Sequence, residues 1–366
     1  MLIKRAGECQ TQHLPPWSES LALVNHYFET FNSYVPVLDH PSFLTLLGQH
    51  FTGDPCKHPS WSACINTVIA IALRDLGERS PDQARSDTVW RHIQNALDVI
   101  LEVTMFNPTI MSIQALTLLA WFFLGTRNPQ PSFMFAGTAV RMGHAIGLHD
   151  RVIGTLTEKS ASKAAVFTYW AAGLLESHVT FRTGRPSACD ATPICDRHCL
   201  GEAFGILHAE APDQGSSHNR IFRLMLEITI LRYKIRSSLF TAEALSGPLD
   251  DSTEVSLGLV EELDEWKRML PVILPRRQSA ISKDDAMRVR FALLVHLGYH
   301  DCKITATFRI WQSMTRKRRQ STPTHEGASH DLARLSKIST ECVQSARATC
   351  ELLQLIPTAS DDSFCW

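Results

Sequence analysis

The pattern of hydrophobic and polar positions predicts helices along most of the chain, and one of these helices is apolar on every side. Residues 113–124 place apolar side chains all around a helical wheel, so a helix there must be buried on all sides. It is shorter than the ~20 apolar residues that a membrane-spanning helix needs. We therefore predict a core helix that ends at Gly125, because two prolines within residues 126–131 prevent its continuation.

A second helix is predicted directly after this turn. Ser132 is suited to its N-cap, since a serine hydroxyl accepts a hydrogen bond from an N–H group of the first turn. Gly147 stands where a left-handed residue commonly ends a helix. An apolar stripe with spacings of four, three and four residues comprises Phe135, Ala139, Met142 and Ile146. The two helices should form a buried hairpin.

Apolar periodicity predicts further helices on both sides of this hairpin, and no segment alternates with the period of two that indicates a strand. These helices are expected at about residues 19–31, 61–73, 89–101, 162–183, 221–240, 290–310 and 331–355. The polar segments 208–219 and 320–330 are interpreted as linkers. We predict an all-α fold with an N-terminal half (14–207) and a C-terminal half (220–366), joined by the first linker within one continuous domain.

Composition and charge restrict the classes of protein to which the chain can belong. Its 366 residues are 44% hydrophobic and 20% charged, which is typical of a globular protein with a sizeable core. The formal net charge of −1 does not point to a nucleic acid or a membrane surface. The first residues lack the apolar region of a signal peptide, and ten irregularly spaced cysteines are typical of reduced thiols. We therefore expect an intracellular protein.

Several short motifs in a fixed order resemble one known family. Ala139-Val140-Arg141-Met142, followed by Gly147-Leu148-His149, is similar to the signature of the fungal-specific transcription factor domain, the regulatory middle region of fungal zinc-cluster transcription factors. Further similar motifs are Gly184-Arg185-Pro186, Leu263 with Trp266, and Tyr299-His300. The resemblance extends from about residue 14 to residue 310. It implies a large helical domain of two packed halves with a regulatory role.

The helix predicted at 162–183 departs from the family's pattern. Where the family has a tyrosine this chain has Gly173, and where the family has Asp-Arg it has Glu176-Ser177. Removal of a tyrosine-sized group from a packed interior leaves a void unless its neighbours collapse into it. We therefore predict a pocket beside Gly173.

Polar residues on the two neighbouring helices are candidates for orienting a ligand in a mostly apolar cavity. The predicted ligand-binding residues are Arg141, His144, Trp170, Gly173, Glu176 and Arg185. If the chain is an enzyme, the predicted catalytic residues are Glu176, His178 and Arg182. In the alternative interpretation, Arg141, Glu176 and Arg185 form a buried ion-pair network with a structural role.

Metal binding is not predicted, because the sequence contains no CxxC pair. Cys189, Cys195, His198 and Cys199 are close together, but their spacing matches no common structural zinc site. The family binds DNA through a six-cysteine cluster that holds two zinc ions, so the resemblance implies that this chain does not bind DNA in that way. The basic run at 316–319 is interpreted as a nuclear localisation signal or phosphate contact, or else as a solvated helix end.

Two functions fit these features. The ordered motifs and the basic run favour a ligand-responsive transcriptional regulator of a fungal metabolic or secondary-metabolite pathway, which acts in the nucleus through a DNA-binding or co-regulator protein. The missing zinc cluster and the altered helix favour a stand-alone cytoplasmic enzyme, a pericyclase-like cyclase or isomerase of a polyketide- or terpenoid-like intermediate. Both functions require a small hydrophobic molecule and neither requires a cofactor or a membrane; a homodimer is compatible with either. The regulator ranks first.

Overall fold

A computed structural model describes residues 13–54, 56–77, 83–106, 108–149, 160–189, 216–246, 249–270, 283–320 and 325–355. Every regular element in these ranges is a helix, and none is a strand. The prediction of an all-α fold is therefore confirmed. Within the same ranges, no helix is both long and apolar enough to span a membrane.

The described residues before residue 190 form eight α-helices. They are α1 (Trp17–Tyr27), α2 (His40–Phe51), α3 (Pro59–Gly77), α4 (Gln83–Asp98), α5 (Ile100–Met105), α6 (Ile110–Leu124), α7 (Gln130–Ala145) and α8 (Ser160–Thr183). A π-helical segment, Phe28–Asn32, directly extends α1. The single helix predicted at 89–101 is in fact divided between α4 and α5, because Val99 leaves the helical conformation with φ −99° and ψ 2°.

The remaining described helices follow residue 215. They are α9 (Ser216–Leu239), α10 (Ala242–Ser246), α11 (Leu249–Met269), α12 (Lys283–Gln320) and α13 (His325–Leu353). Backbone contacts divide the chain into two compact units, one that runs to Phe222 and one that spans Arg223–Pro357. The linker predicted at 208–219 is described only from residue 216, where it is already helical.

The second linker, predicted at 320–330, is wrong in its last part because α13 begins at His325. Glu326 and Ala328 have high helix propensity, so this segment can form a helix although most of its residues are polar or small. Polarity alone was therefore an insufficient sign of a loop. The first linker shows the same effect at its last four residues, which form the first turn of α9.

Helix α6 forms the centre of the first unit. Its side chains are buried from Ile113 to Leu124 with the exception of Gln114, and it packs against α3, α7 and α8. Gln114 is held by a hydrogen bond from its Nε2 to the carbonyl oxygen of Val37 at 3.0 Å. The indole of Trp121 meets the ring of Phe31 edge-on, with 5.3 Å between the centroids. The predicted core helix is confirmed, including its end at Leu124.

The start of α7 differs from the prediction. Helix α7 begins at Gln130 after Pro129 and has no side-chain cap, so Ser132 is not its N-cap. Ser132 lies inside the first turn, and its hydroxyl donates to the carbonyl oxygen of Ala120 on α6 at 2.9 Å. The physical reason is Pro131, whose fixed φ and missing N–H are suited to a first helical turn. The serine therefore joins the two helices of the hairpin instead of capping one of them.

Gly147 ends α7 with a φ of +74°, which confirms the predicted left-handed residue. Gly184 has a φ of +65° and follows α8 directly. In this region of backbone space a Cβ atom approaches the following carbonyl oxygen, so glycine is strongly preferred. Each glycine turns the chain sharply at the end of a long helix.

Replacement of Gly147 by alanine should lower the free energy of unfolding by about 1–2 kcal/mol. A Cβ at this position would have no heavy atom within 4 Å, so the effect isolates backbone strain. Gly48, inside α2, has equally open space but ordinary helical backbone, and Gly48→Ala should raise the stability by about 0.5–1 kcal/mol. Urea unfolding measures both changes. Equal midpoints for the two variants would contradict the left-handed assignment.

A buried asparagine organises the proline-rich corner between α1 and α2. The Oδ1 of Asn32 accepts hydrogen bonds from the backbone N–H groups of Val37 at 3.1 Å and Leu38 at 3.0 Å. Its Nδ2 donates to the carbonyl oxygen of Leu38 at 2.9 Å. Asp39 then caps α2 by accepting from the N–H of Ser42 at 3.0 Å. Side chains thus satisfy backbone groups that no helix can pair.

In the second unit, the residues of two family-like motifs have structural partners. The hydroxyl of Tyr299 donates to Oδ1 of Asp264 at 2.6 Å, and the Nζ of Lys303 donates to the same carboxylate at 2.7 Å and 2.8 Å. The indole N–H of Trp266 donates to Oε2 of Glu227 at 2.8 Å. These bonds join α9, α11 and α12. They explain why positions 266 and 299 hold aromatic residues that also carry a hydrogen-bond donor.

Candidate functional site

Helices α7 and α8 approach closely because Gly143 has no side chain at their contact. A Cβ at Gly143 would lie 2.6 Å from Cδ2 and 2.9 Å from Cε2 of Tyr169, distances that real Cβ atoms essentially never show. The ring of Tyr169 therefore packs directly on the backbone of α7 and is completely buried. Burial raises the pKa of Tyr169 well above its usual value, so its hydroxyl remains protonated.

His144 is the hydrogen-bond partner of this tyrosine. Its Nε2 lies 2.8 Å from the hydroxyl oxygen of Tyr169, and its ring centroid lies 5.1 Å from that of His149. The pKa of His144 is lowered, first by burial and then by the neighbouring His149 and Arg141. The lowered pKa favours the neutral imidazole, and its tautomer sets whether Nε2 or the tyrosine hydroxyl donates in this hydrogen bond. The structure thus brings together two predicted ligand-binding residues, Arg141 and His144.

Arg141 lies on the surface, so it is not part of a buried ion-pair network. Its guanidinium lies along its own helix, with Nη1 only 3.3 Å from the position that a Cβ of Gly137 would occupy. Helix α7 therefore presents a positive charge to solvent one turn before His144.

Trp170, Gly173 and Glu176 lie on buried positions of α8. Trp170 is fully buried, and its ring meets that of Phe167 edge-on with 5.6 Å between the centroids. The predicted void beside Gly173 stays a prediction.

Glu176 binds the segment that follows α8. Its Oε2 accepts from the hydroxyl of Ser187 at 2.8 Å, and its Oε1 accepts from the N–H of Ala188 at 2.6 Å. The hydroxyl oxygen of Ser187 in turn accepts from the N–H of Cys189 at 3.0 Å. Hydrogen bonds to a buried carboxylate are roughly twice as strong as neutral ones. The described role of Glu176 is therefore to fold the chain back onto α8 after the turn at Gly184.

Arg185 lies in this turn and reaches α7. Its guanidinium stacks on the ring of Phe133, with 4.7 Å between Cζ and the ring centroid. Its Nη1 is buried and has no hydrogen-bond partner among the described residues. A buried donor on a charged group is costly when it is unsatisfied, and a bound acceptor would remove that cost. Among the predicted residues, Arg185 therefore has the geometry that most favours a ligand.

The three residues predicted for catalysis do not share one side of α8. Successive helical residues are rotated by about 100°, so Glu176 and His178 point about 200° apart. Glu176 is buried, whereas Arg182 is exposed near the end of the helix. The arrangement does not favour joint proton transfer by the three groups.

Sequence reasoning missed Tyr169, Gly143 and Phe133. A glycine inside a helical pattern often marks a close approach of another element, and Gly143 was such a signal.

The described residues contain no group of three or more metal-ligating side chains, although Cys195, His198 and Cys199 lie outside them. Cys189 is a buried thiol.

Comparison with known proteins agrees with the motifs. Residues 24–193 match the family described as fungal specific transcription factor domain. An ABC-transporter-regulating transcription factor of Aspergillus oryzae is 30% identical, over 94% of this chain and 39% of that protein. The fusaridione A cluster transcription factor fsdR of Fusarium heterosporum is 26% identical, over 94% of this chain and 63% of its own length.

A third relative is the sorbicillinoid biosynthetic cluster transcription factor 2 of Penicillium rubens, which is 23% identical over 93% of this chain and half of its own length. The chain thus spans less than two thirds of each of these relatives. No solved structure matches it. Residues 24–193 of the chain therefore contain a fungal-specific transcription factor domain.

Proposed function

We propose that the chain is the ligand-responsive regulatory region of a transcription factor that controls a fungal metabolic or secondary-metabolite pathway. The relatives support regulation of transcription, since their names refer to transporter control or to biosynthetic clusters. The observation that carries ligand response is the buried Nη1 of Arg185, which has no hydrogen-bond partner in the described part of the chain and belongs to a guanidinium that stacks on the ring of Phe133. This pairing of an apolar face with a single donor suits a small hydrophobic molecule that bears a hydroxyl, carbonyl or carboxylate oxygen.

The site would lie where the turn after α8 meets α7. Glu176 fixes this turn through Ser187 and Ala188, so a molecule at Arg185 would act on a segment that is tied to the core of α8. The void predicted beside Gly173 would extend the apolar part of the site. In the enzyme interpretation Glu176 would be a catalytic residue, but its described hydrogen bonds hold the turn. We therefore favour the regulator over the cyclase or isomerase.

Ligand response is tested with the whole chain fused to a heterologous DNA-binding domain and a reporter gene. Candidate pathway metabolites should change reporter output and raise the melting temperature of the purified chain, since a ligand that binds only the folded state stabilises it. Arg185→Met should abolish both responses, and Arg91→Met, which removes an exposed arginine on α4, should preserve them. Metabolites that affect Arg185→Met and the original chain equally would place the site elsewhere.

Gly173→Tyr tests the predicted void. If the void contributes to binding, a tyrosine ring should fill it, abolish the metabolite-induced melting shift and leave the unliganded protein folded. Unchanged ligand binding in a folded Gly173→Tyr protein would exclude a site at this position. The matched control is Gly258→Tyr on α11, where a side chain enters open space.

We also propose that the chain does not read DNA by itself and acts with a DNA-binding or co-regulator protein in the nucleus. The sequence has no CxxC pair and its net charge is −1, so purified protein should bind DNA only weakly and lose that binding as salt increases. Gel-shift titration measures this. Sequence-specific, nanomolar binding at physiological salt would contradict the proposal.

A further inference from the structure

The short helix α5 exposes apolar side chains beside a cavity of about 460 Å³. Leu101, Met105 and Phe106 are 69%, 71% and 74% exposed. Leu101 and Phe106 also line the cavity, together with the buried Val103. We call this surface the α5 groove. Large apolar side chains exposed together commonly mark an interaction surface.

The edge of the α5 groove is acidic. Asp98 and Glu102 line the cavity, and none of its described lining residues is a lysine or an arginine. An occupant should therefore combine bulky apolar groups with positive charge. The apolar surface continues beyond the cavity to Met105, which favours a helix of another protein chain over a small molecule.

Helix α12 carries a surface of matching chemistry. Phe308 and Trp311 are 48% and 42% exposed, and their rings stack with 5.7 Å between the centroids. Arg316 is exposed one to two turns further along the same helix. Arg316 begins a run of four consecutive basic residues, 316–319, in the sequence. We call this surface the α12 face.

We propose that the chain associates with itself, with the α12 face of one copy bound in the α5 groove of a second copy. Phe308 or Trp311 would enter the cavity beside Phe106, and Arg316 would approach Asp98 and Glu102. Aromatic residues in pockets and arginines dominate the binding energy of interfaces, and opposite charges at the edge set orientation. Both surfaces are exposed in the single chain and have opposite charge, which is why we assign them to each other.

This contact joins two different surfaces. If two copies each use both surfaces toward the other, the assembly closes as a dimer. If each copy uses its two surfaces toward two different neighbours, the assembly continues to larger species. Analytical ultracentrifugation of the purified chain over a range of concentrations should therefore show a dimer or larger species that dissociates on dilution. Dissociation should become easier as salt increases, because the charged edge is exposed. A monomer at all concentrations up to about 100 µM, where even a weak specific interface is populated, would overturn the proposal.

Single substitutions test the apolar contact. Phe106→Ser and Trp311→Ser should each raise the dissociation constant about tenfold or more, as expected for an aromatic anchor. Met134→Ser, which removes a 52% exposed apolar side chain on α7, should leave it unchanged. Circular dichroism verifies that each variant is folded. Self-association that is equally strong in all three variants would overturn the proposal.

Exchange of charges tests the pairing. Asp98→Lys with Glu102→Lys should weaken association, as should Arg316→Glu with Lys317→Glu. The four substitutions in one chain should restore association to within about threefold of the original, because each copy then offers a basic groove and an acidic helix. If the combined variant associates no better than the two partial ones, the assigned pairing of these surfaces is wrong.

Discussion

Replacement of Trp121 by alanine should lower the free energy of unfolding by about 3–5 kcal/mol. Trp121 is buried on a helix that packs against three others, so removal of the indole leaves a cavity that rigid neighbours cannot fill. The ring of Phe31 would also lose its edge-on partner at 5.3 Å. Thermal and urea unfolding, followed by circular dichroism, measure the change.

Trp17→Ala is the matched control for this variant. Trp17 is exposed at the start of α1 and has an edge-on contact with Phe51, with 5.4 Å between the centroids. Loss of an exposed aromatic pair should lower the stability by only about 0.5–1.5 kcal/mol. Similar losses for both tryptophans would show that α6 is not the centre of the core.

Gly143→Ala should have the second largest effect, a loss of about 1–3 kcal/mol from overpacking. The new Cβ would lie 2.6 Å from the ring of Tyr169, so either the ring or the whole of α8 must move. The hydrogen bond between Tyr169 and His144 depends on the same ring position and would be strained with it. In most helices the same substitution is stabilising.

A double-mutant cycle with Tyr169→Ala isolates this clash. Alanine lacks the ring carbons that meet the new Cβ, so Gly143→Ala should be much less destabilising in the Tyr169→Ala background. The interaction energy should be about 1–3 kcal/mol. Gly258→Ala, at an exposed helical position with open space, serves as a control and should be slightly stabilising. Additivity within about 0.5 kcal/mol would contradict the close approach of α7 and α8.

The fold was predictable where a local pattern had a single physical interpretation. Helix α6 is apolar on all sides, and Gly147 and Gly184 end their helices as glycines with positive φ commonly do. The N-cap at Ser132 was wrong because Pro131 suits the first helical turn, so the helix begins earlier and the serine hydroxyl donates to the carbonyl oxygen of Ala120 on α6. Such a choice depends on packing between helices and not on the local sequence.

The candidate site was predictable only as a region. Helices α7 and α8 were chosen correctly as neighbours, and α7 alone holds Arg141 and His144 near each other. The partner of His144 is Tyr169, which was overlooked because its contact depends on the absence of a side chain at Gly143. Glu176 was predicted to face a ligand, but its described partners belong to the turn after α8. Sequence spacing cannot show which buried carboxylate is already satisfied by the backbone.

The buried Asn32 has a consequence for amide hydrogen exchange. The N–H groups of Val37 and Leu38 lie outside any helix, where exchange is usually fast, yet both donate to the Oδ1 of this side chain. Their exchange with deuterated solvent therefore requires that Asn32 leave the core. We expect both amides to exchange as slowly as those of the adjoining helices, so that protection continues through the proline corner without a gap.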